Sequence, residues 1–184
     1  MLRGHYLDGR PMNADILTQV FGASARIKTI RLLMVVGAII LLDQFSKMII
    51  LQQVPLFHMI PVIPGFFNIT HIHNPGGAFG FMAGQGPEVR TFLFQAMSIL
   101  AAVFIAVFYY RTPSEYRWLS FGLLLILGGA IGNMIDRFRF GEVVDFLDFY
   151  IKGYHWPAFN VADSGITVGM VILVLHLLFN KMPD

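Results

Sequence analysis

Two aspartates carry the chemistry this sequence could do. Asp145 sits in the short motif Val143-Val144-Asp145-Phe146, and Asp163 in the motif 159–164 (Phe-Asn-Val-Ala-Asp-Ser), where the last apolar run begins. An ionisable group near a bilayer is costly and needs a partner or a function. Two close carboxylates cannot both ionise, so they share one proton. One of them can then take a proton from water while the other donates a proton to a scissile carbonyl. Such a pair titrates as a unit and needs no metal or cofactor.

Other chemistries find less support. The chain has no cysteine, which excludes a disulfide scaffold, a thiolate metal site and a Cys nucleophile. His71 and His73 would share one face of a strand, with His58 and His155 in neighbouring loops, but His-Glu-x-x-His and the spacing of zinc sites are missing. A serine nucleophile would have to be Ser164 with His176 as base. On one helix these lie about 18 Å apart and cannot meet.

The elements that must position the pair are membrane spans. Hydrophobic residues make up 56% of the 184 residues and charged residues only 13%, about half the charge of a soluble domain, and mean hydropathy is +0.66. Four apolar runs, about 30–51, 91–110, 118–135 and 161–179, are near the roughly 20 residues a spanning helix needs. The net charge of +2 is too small to suggest nucleic-acid binding. No polar linker divides the runs, so one integral-membrane domain is expected over 1–184, with 1–29 as a cytoplasmic or interfacial N-terminal extension. That extension lacks the compact apolar core and cleavage site of a secretory signal peptide. Arg26, Lys28 and Arg31 abut the first span and place both termini inside by the distribution of basic residues. The connections 52–90 and 136–160 then lie outside. Within the first of these, residues 66–73 are β-branched and aromatic and predict a short strand, followed by a turn at 74–77.

Polar groups in the spans need partners. Asp43 and Lys47 stand at i, i+4 in the order that suits an intrahelical ion pair, or they line a polar pocket. Gly128, Gly129 and Gly132 permit close helix approach. Asn133 and Asp136 continue the face of Gly129, and Asp136 could pair with its neighbour Arg137 or contact substrate. Asn160 suits an N-cap with Asp163 at N3, reaching back to the cap. Capping alone would account for Asp163 but not for Asp145. First-turn N–H groups favour charge on Asp163, whereas the apolar neighbours of Asp145 disfavour it. The resting proton is therefore expected on Asp145.

Five blocks in order, Asp43-Gln44-x-x-Lys47, Asn74-x-Gly76-x-Ala78-Phe79, Gly129-Ala130-x-Gly132-Asn133-x-x-Asp136-Arg137, Val143-Val144-Asp145-Phe146 and Phe159-Asn160-x-Ala162-Asp163, resemble the lipoprotein signal peptidases (type II signal peptidases). The resemblance covers about 32–179. The Pro75-Gly76-Gly77 turn departs from a commoner Thr-Gly-Ala type, and the N-terminal 25 residues exceed the usual family length. The resemblance implies a membrane all-α fold of four transmembrane helices, with a small extracytoplasmic β-sheet cradle between the first and second spans. It implies an aspartic endopeptidase of the bacterial cytoplasmic (inner) membrane, with its active site near the outer face. The implied reaction removes the signal peptide from diacylglyceryl-modified prolipoproteins just before the lipidated cysteine. It also implies Asp145 and Asp163 as catalytic residues. Asp43, Lys47, Asn74, Gly76, Asn133, Asp136, Arg137, Asn160 and Ala162 would bind substrate or support the pocket. The expected partners are the prolipoprotein and membrane lipids, with no nucleic acid, no metal and no cofactor, and the protein is expected to act as a monomer. A small membrane transporter or a non-catalytic lipoprotein-binding factor is the alternative. The absence of an internal repeat counts against a repeat-built transporter.

Overall fold

The computed structural model of the chain describes residues 6–7, 10–11, 14–76 and 86–179. Two short strands, β1 (Tyr6–Leu7) and β2 (Arg10–Pro11), pair antiparallel ahead of a 40-residue helix, α1 (Ala14–Gln53). The other helices are α2 (Pro87–Arg111), α3 (Arg117–Phe140) and α4 (Val161–Phe179). Their boundaries follow from local chemistry. α2 opens with Pro87, whose missing N–H costs nothing in a first turn. It stops at Thr112, before Pro113, and α3 stops at Gly141, which takes a left-handed conformation at φ 77°.

Four helical segments are long and apolar enough to cross a membrane: Ala25–Gln53, Thr91–Arg111, Arg117–Phe140 and Val161–Phe179. α3 is the central one and packs against the other three. Val36, Tyr109, Leu119, Leu123, Leu124 and Leu127 form the core between α1, α2 and α3. Large apolar side chains such as Leu33, Leu41, Leu100, Phe104 and Leu178 remain 65–70% exposed or more on the outer faces. Apolar surface on that scale belongs against lipid rather than water. α3 and α4 approach closely because Gly129 lacks a side chain: a Cβ there would run into the Ala162 carbonyl oxygen and Ile166.

The remaining strands form one antiparallel sheet in the order β3 (Met59–Ile63), β4 (Phe67–Asn74), β5 (Val143–Ile151), β6 (Tyr154–His155). The strand expected at 66–73 is β4. β3 and β4 come from the connection between the first and second spans, where the cradle is expected. The other two strands come from the connection between the third and fourth, where residues 143–151 hold seven apolar or aromatic side chains around Asp145 and Asp148. The third helix also continues to Phe140, beyond the apolar run, so Asp136, Arg137 and Arg139 lie in its last turns. Ile50, Val54, Val144 and Phe146 make a second core where the sheet rests on the end of α1.

Candidate active site

The β4–β5 ladder sets Ile72 opposite Asp145 and Asn74 opposite Val143. Asp145 thus stands in a strand whose middle is secured by backbone hydrogen bonds between Leu147 and Phe159. The same bonds bring the next residue, Asn160, alongside Asp145. From there the chain enters α4, where the expected capping pair forms. Asp163 N–H donates to Asn160 Oδ1 at 2.9 Å, and Asn160 N–H donates to Asp163 Oδ2 at 3.3 Å. Asn160 is therefore both the helix cap and the link between the carboxylates. Its Nδ2 donates to Asp145 Oδ1 at 2.8 Å.

Each carboxylate receives a second donor. Asn74 Nδ2 donates to Asp145 Oδ2 at 2.9 Å, and Asn133 Nδ2 donates to Asp163 Oδ1 at 2.7 Å. Asn74 is itself oriented by Gly76, whose N–H donates to Asn74 Oδ1 at 2.9 Å from a backbone at φ +83°. That conformation suits a glycine. Among the described residues neither Asp145 nor Asp163 forms an ion pair. Burial pushes the Asp145 carboxyl up to about 7, and the charge of Asp163 adds to the rise. The Asn74 and Asn160 amides and the more distant Lys47 charge oppose it.

Beneath the pair lies a cluster of opposite character. Lys47 Nζ meets Asp43 Oδ2 and Asp136 Oδ2, both at 2.8 Å, and donates to Asn133 Oδ1 at 3.1 Å. All three ammonium hydrogens thus have acceptors. Asp43, Lys47 and Asp136 are 0%, 2% and 1% exposed. The i, i+4 pair expected from sequence is present, but Asp136 pairs with Lys47 rather than with its neighbour Arg137. Asp43 Oδ1 also accepts from the Ala162 N–H at 2.9 Å, and Asp136 Oδ2 from the Val144 N–H at 3.1 Å. The cluster thereby fastens α1 and α3 to the starts of α4 and β5.

Of the residues singled out from sequence, Asp43, Lys47, Asn74, Asn133, Asp136, Asp145, Asn160, Ala162 and Asp163 join one connected network, and Gly76 supports Asn74. Arg137 stands apart, with Nη1 3.4 Å from Ser98 Oγ and its carbonyl accepting from Gln95. The expected turn at 74–77 extends, like Ala78 and Phe79 of its block, outside the described residues. Gln44 was quoted in a motif without a role of its own. Its Nε2 bridges Asp43 Oδ2 and Asp136 Oδ1 at 3.1 and 2.9 Å. The signal was present as a third polar residue in an apolar span. On the open side, a cavity of about 550 Å³ is lined by Trp156, Pro157, Ala158, Phe159, Asp163, Ser164, Thr167 and Val168.

The class this defines is a multi-pass membrane protein with two carboxyl groups joined by one asparagine where its spans meet a sheet. The family model for Signal peptidase (SPase) II matches residues 35–179. A lipoprotein signal peptidase of Desulforapulum autotrophicum is 59% identical over 84% of this chain and 96% of its own length. One from Syntrophus aciditrophicus is 45% identical over 79% and 91%. Two solved structures of bacterial membrane enzymes, each 32% identical, superpose with TM-scores of 0.72 and 0.73. They cover 84% and 82% of this chain, and 93% and 94% of theirs. The chain belongs to the signal peptidase II family, and is thus a membrane hydrolase acting on peptide bonds.

Proposed function

We propose that this peptidase removes signal peptides from diacylglyceryl-modified prolipoproteins, cleaving before the lipidated cysteine, with Asp145 and Asp163 as its catalytic pair. The observation that carries the assignment is Asn160. One side chain and its own N–H reach both carboxylates, and among the described residues neither forms an ion pair.

Asp163 is the general base and Asp145 the proton donor in the resting enzyme. Water attacks the scissile carbonyl carbon and gives a proton to Asp163. Asp145 gives its proton to the carbonyl oxygen, which yields a neutral tetrahedral diol. When the diol collapses, the proton held by Asp163 passes to the leaving nitrogen and the C–N bond breaks. The diol's other proton returns to Asp145. The products are the signal peptide's new carboxyl group and the free amine of the cysteine, and the pair again holds one proton. Near neutral pH Asp145 is poised for its part, since its carboxyl titrates at about 7.

The cavity beside Asp163 reaches Val168 on α4, and the exposed apolar flank of that helix continues through Val171. The substrate's acyl chains stay in lipid there while its peptide reaches the pair. We assign the pair and sheet to the outer face of the bacterial inner membrane and both termini to the cytoplasm. Arg26, Lys28 and Arg31 support this, together with the Lys28 Nζ bonds to the Tyr110 and Thr112 carbonyls at the opposite end of the bundle from the sheet. One copy of the chain contains every group the reaction uses, and it acts as a monomer.

The test is incubation of the purified full-length protein with a diacylglyceryl-modified precursor, with and without EDTA. Cleavage before the lipidated cysteine is expected in both samples. An intact precursor overturns the substrate assignment, and loss of cleavage in EDTA restored by zinc overturns the two-carboxylate mechanism.

A further inference from the structure

His71 and His73 stand outside the carboxylate network but form a chain beside it. His71 Nδ1 lies 2.7 Å from the Val54 carbonyl oxygen, and His71 Nε2 lies 3.2 Å from His73 Nε2. His73 Nδ1 lies 3.5 Å from Glu142 Oε2. A carbonyl only accepts, so His71 Nδ1 carries a hydrogen. Of the two ring nitrogens that face each other, one donates and the other accepts. Glu142 Oε2 closes the chain beside His73 Nδ1.

The chain spans a structurally sensitive place. It runs from Val54, just after α1, across β4 to Glu142, the residue before β5. In the ladder His73 faces Val144, and Asn74 faces Val143 as the last rung. Among the described residues no backbone pairing holds β4 to β5 beyond that rung, and strand ends without side-chain ties open readily. Yet Asn74 must keep its amide on Asp145 at this end.

We infer that His73, braced by His71 and Glu142, is a positioning residue that holds Asn74 against Asp145. The inference rests on Asp145 being one of the catalytic pair. The ionisable groups around the His73 ring are His71 and Glu142, with Arg139 behind the Phe140 ring. Those acting on Asp145 are Asp163, Lys47 and Arg137. None of them substitutes for the Asn74 amide, the leading influence that opposes the rise at Asp145.

The experiment compares full-length wild type, His73→Leu, Glu142→Gln, Asn74→Ala and the His73→Leu/Asn74→Ala double variant. It measures kcat and KM on a lipid-modified precursor, and the Asp145 carboxyl titration by carbon NMR. His73→Leu is expected to lower kcat about tenfold with KM within about twofold, as misplacement of a catalytic group does. It should also move the Asp145 midpoint upward, as Asn74→Ala does. Glu142→Gln should act in the same direction, by about threefold. The double variant should be no worse than Asn74→Ala alone. An unmoved midpoint and kcat in folded His73→Leu and Glu142→Gln protein overturns the inference, and so do additive losses in the double variant. If Asp145→Asn instead retains activity, the catalytic reading fails, and the Asp145 midpoint alone still decides whether His73 holds Asn74.

Discussion

Three buried aspartates and the half-buried Asp163 lie within one network, and the four divide into two kinds. Asp43 and Asp136 flank an ammonium group, each 2.8 Å from Lys47 Nζ. Asp145 and Asp163 are held only by amides. Asn133 marks the border: its carbonyl oxygen faces Lys47 and its amide nitrogen faces Asp163. A carboxylate beside a buried cation is fixed in its ionised form, because removing either partner strands a charge. A carboxylate held by neutral dipoles keeps its place and can still gain or lose a proton. On the proposed mechanism, the same residue type builds scaffold on one side of Asn133 and transfers protons on the other.

The largest expected effect lies on the amide-held side. Asp145→Asn and Asp163→Asn should each lower cleavage by about 10³-fold or more, and the double variant should be no worse than either single one. Membrane insertion and melting should stay close to wild type. Substantial activity in either purified variant would erase the distinction between the two kinds of aspartate.

Lys47→Met should act on stability instead. It leaves Asp43 and Asp136 buried without a cation, at a cost of about 3–5 kcal/mol. A thermal melt in detergent should show a large drop, and a wild-type melt would mean the cluster is not scaffold. A smaller loss is expected for Gly129→Ala, about 1–3 kcal/mol, because its Cβ meets the Ala162 carbonyl oxygen and pushes α4 outward. If the border position matters, kcat should fall with it, since Ala162 and Asp163 move together. An unchanged melt and kcat would show that α3 and α4 can separate without harm.

The mildest effect is on pH dependence. The donor role needs Asp145 protonated, and its carboxyl titrates at about 7, so kcat should decline as pH rises through that value. The raised value also means that the folded protein binds this proton more tightly than the unfolded chain does. Its contribution to stability is full below about pH 4 and lost as pH rises through about 7. Asp145→Asn should therefore gain stability relative to wild type as pH is raised from 4 to 8. A pH-independent difference between the two melts would remove the burial of this charge as its cause.

Sequence alone revealed the parts of this arrangement that are local. Asp43 and Lys47 are one helical turn apart, and Asn160 and Asp163 are a cap and its N3 residue, so spacing sufficed. Span existence followed from apolar length, and the strand expected at 66–73, found at 67–74, from its β-branched and aromatic residues. Contacts between distant segments were not legible. Lys47 reaches Asp136 across 89 positions, and β5 becomes a strand by pairing with β4 about 70 positions earlier. Nothing near Asp136 distinguished Lys47 from the adjacent Arg137 as its partner. The family resemblance marked which of these residues matter, while the geometry shows which of them touch.

The capping box at the start of α4 has a consequence for when the enzyme can act during its own synthesis. Translation delivers residues 160–163 after every other part of the network. Until they dock, Asp145 lacks one of its two amides, Asp43 lacks the Ala162 N–H, and no second carboxylate is present. With Asp145 and Asp163 as the proposed pair, a partly made or undocked chain carries no working protease into the membrane, and assembly of the last span and onset of catalysis are one event.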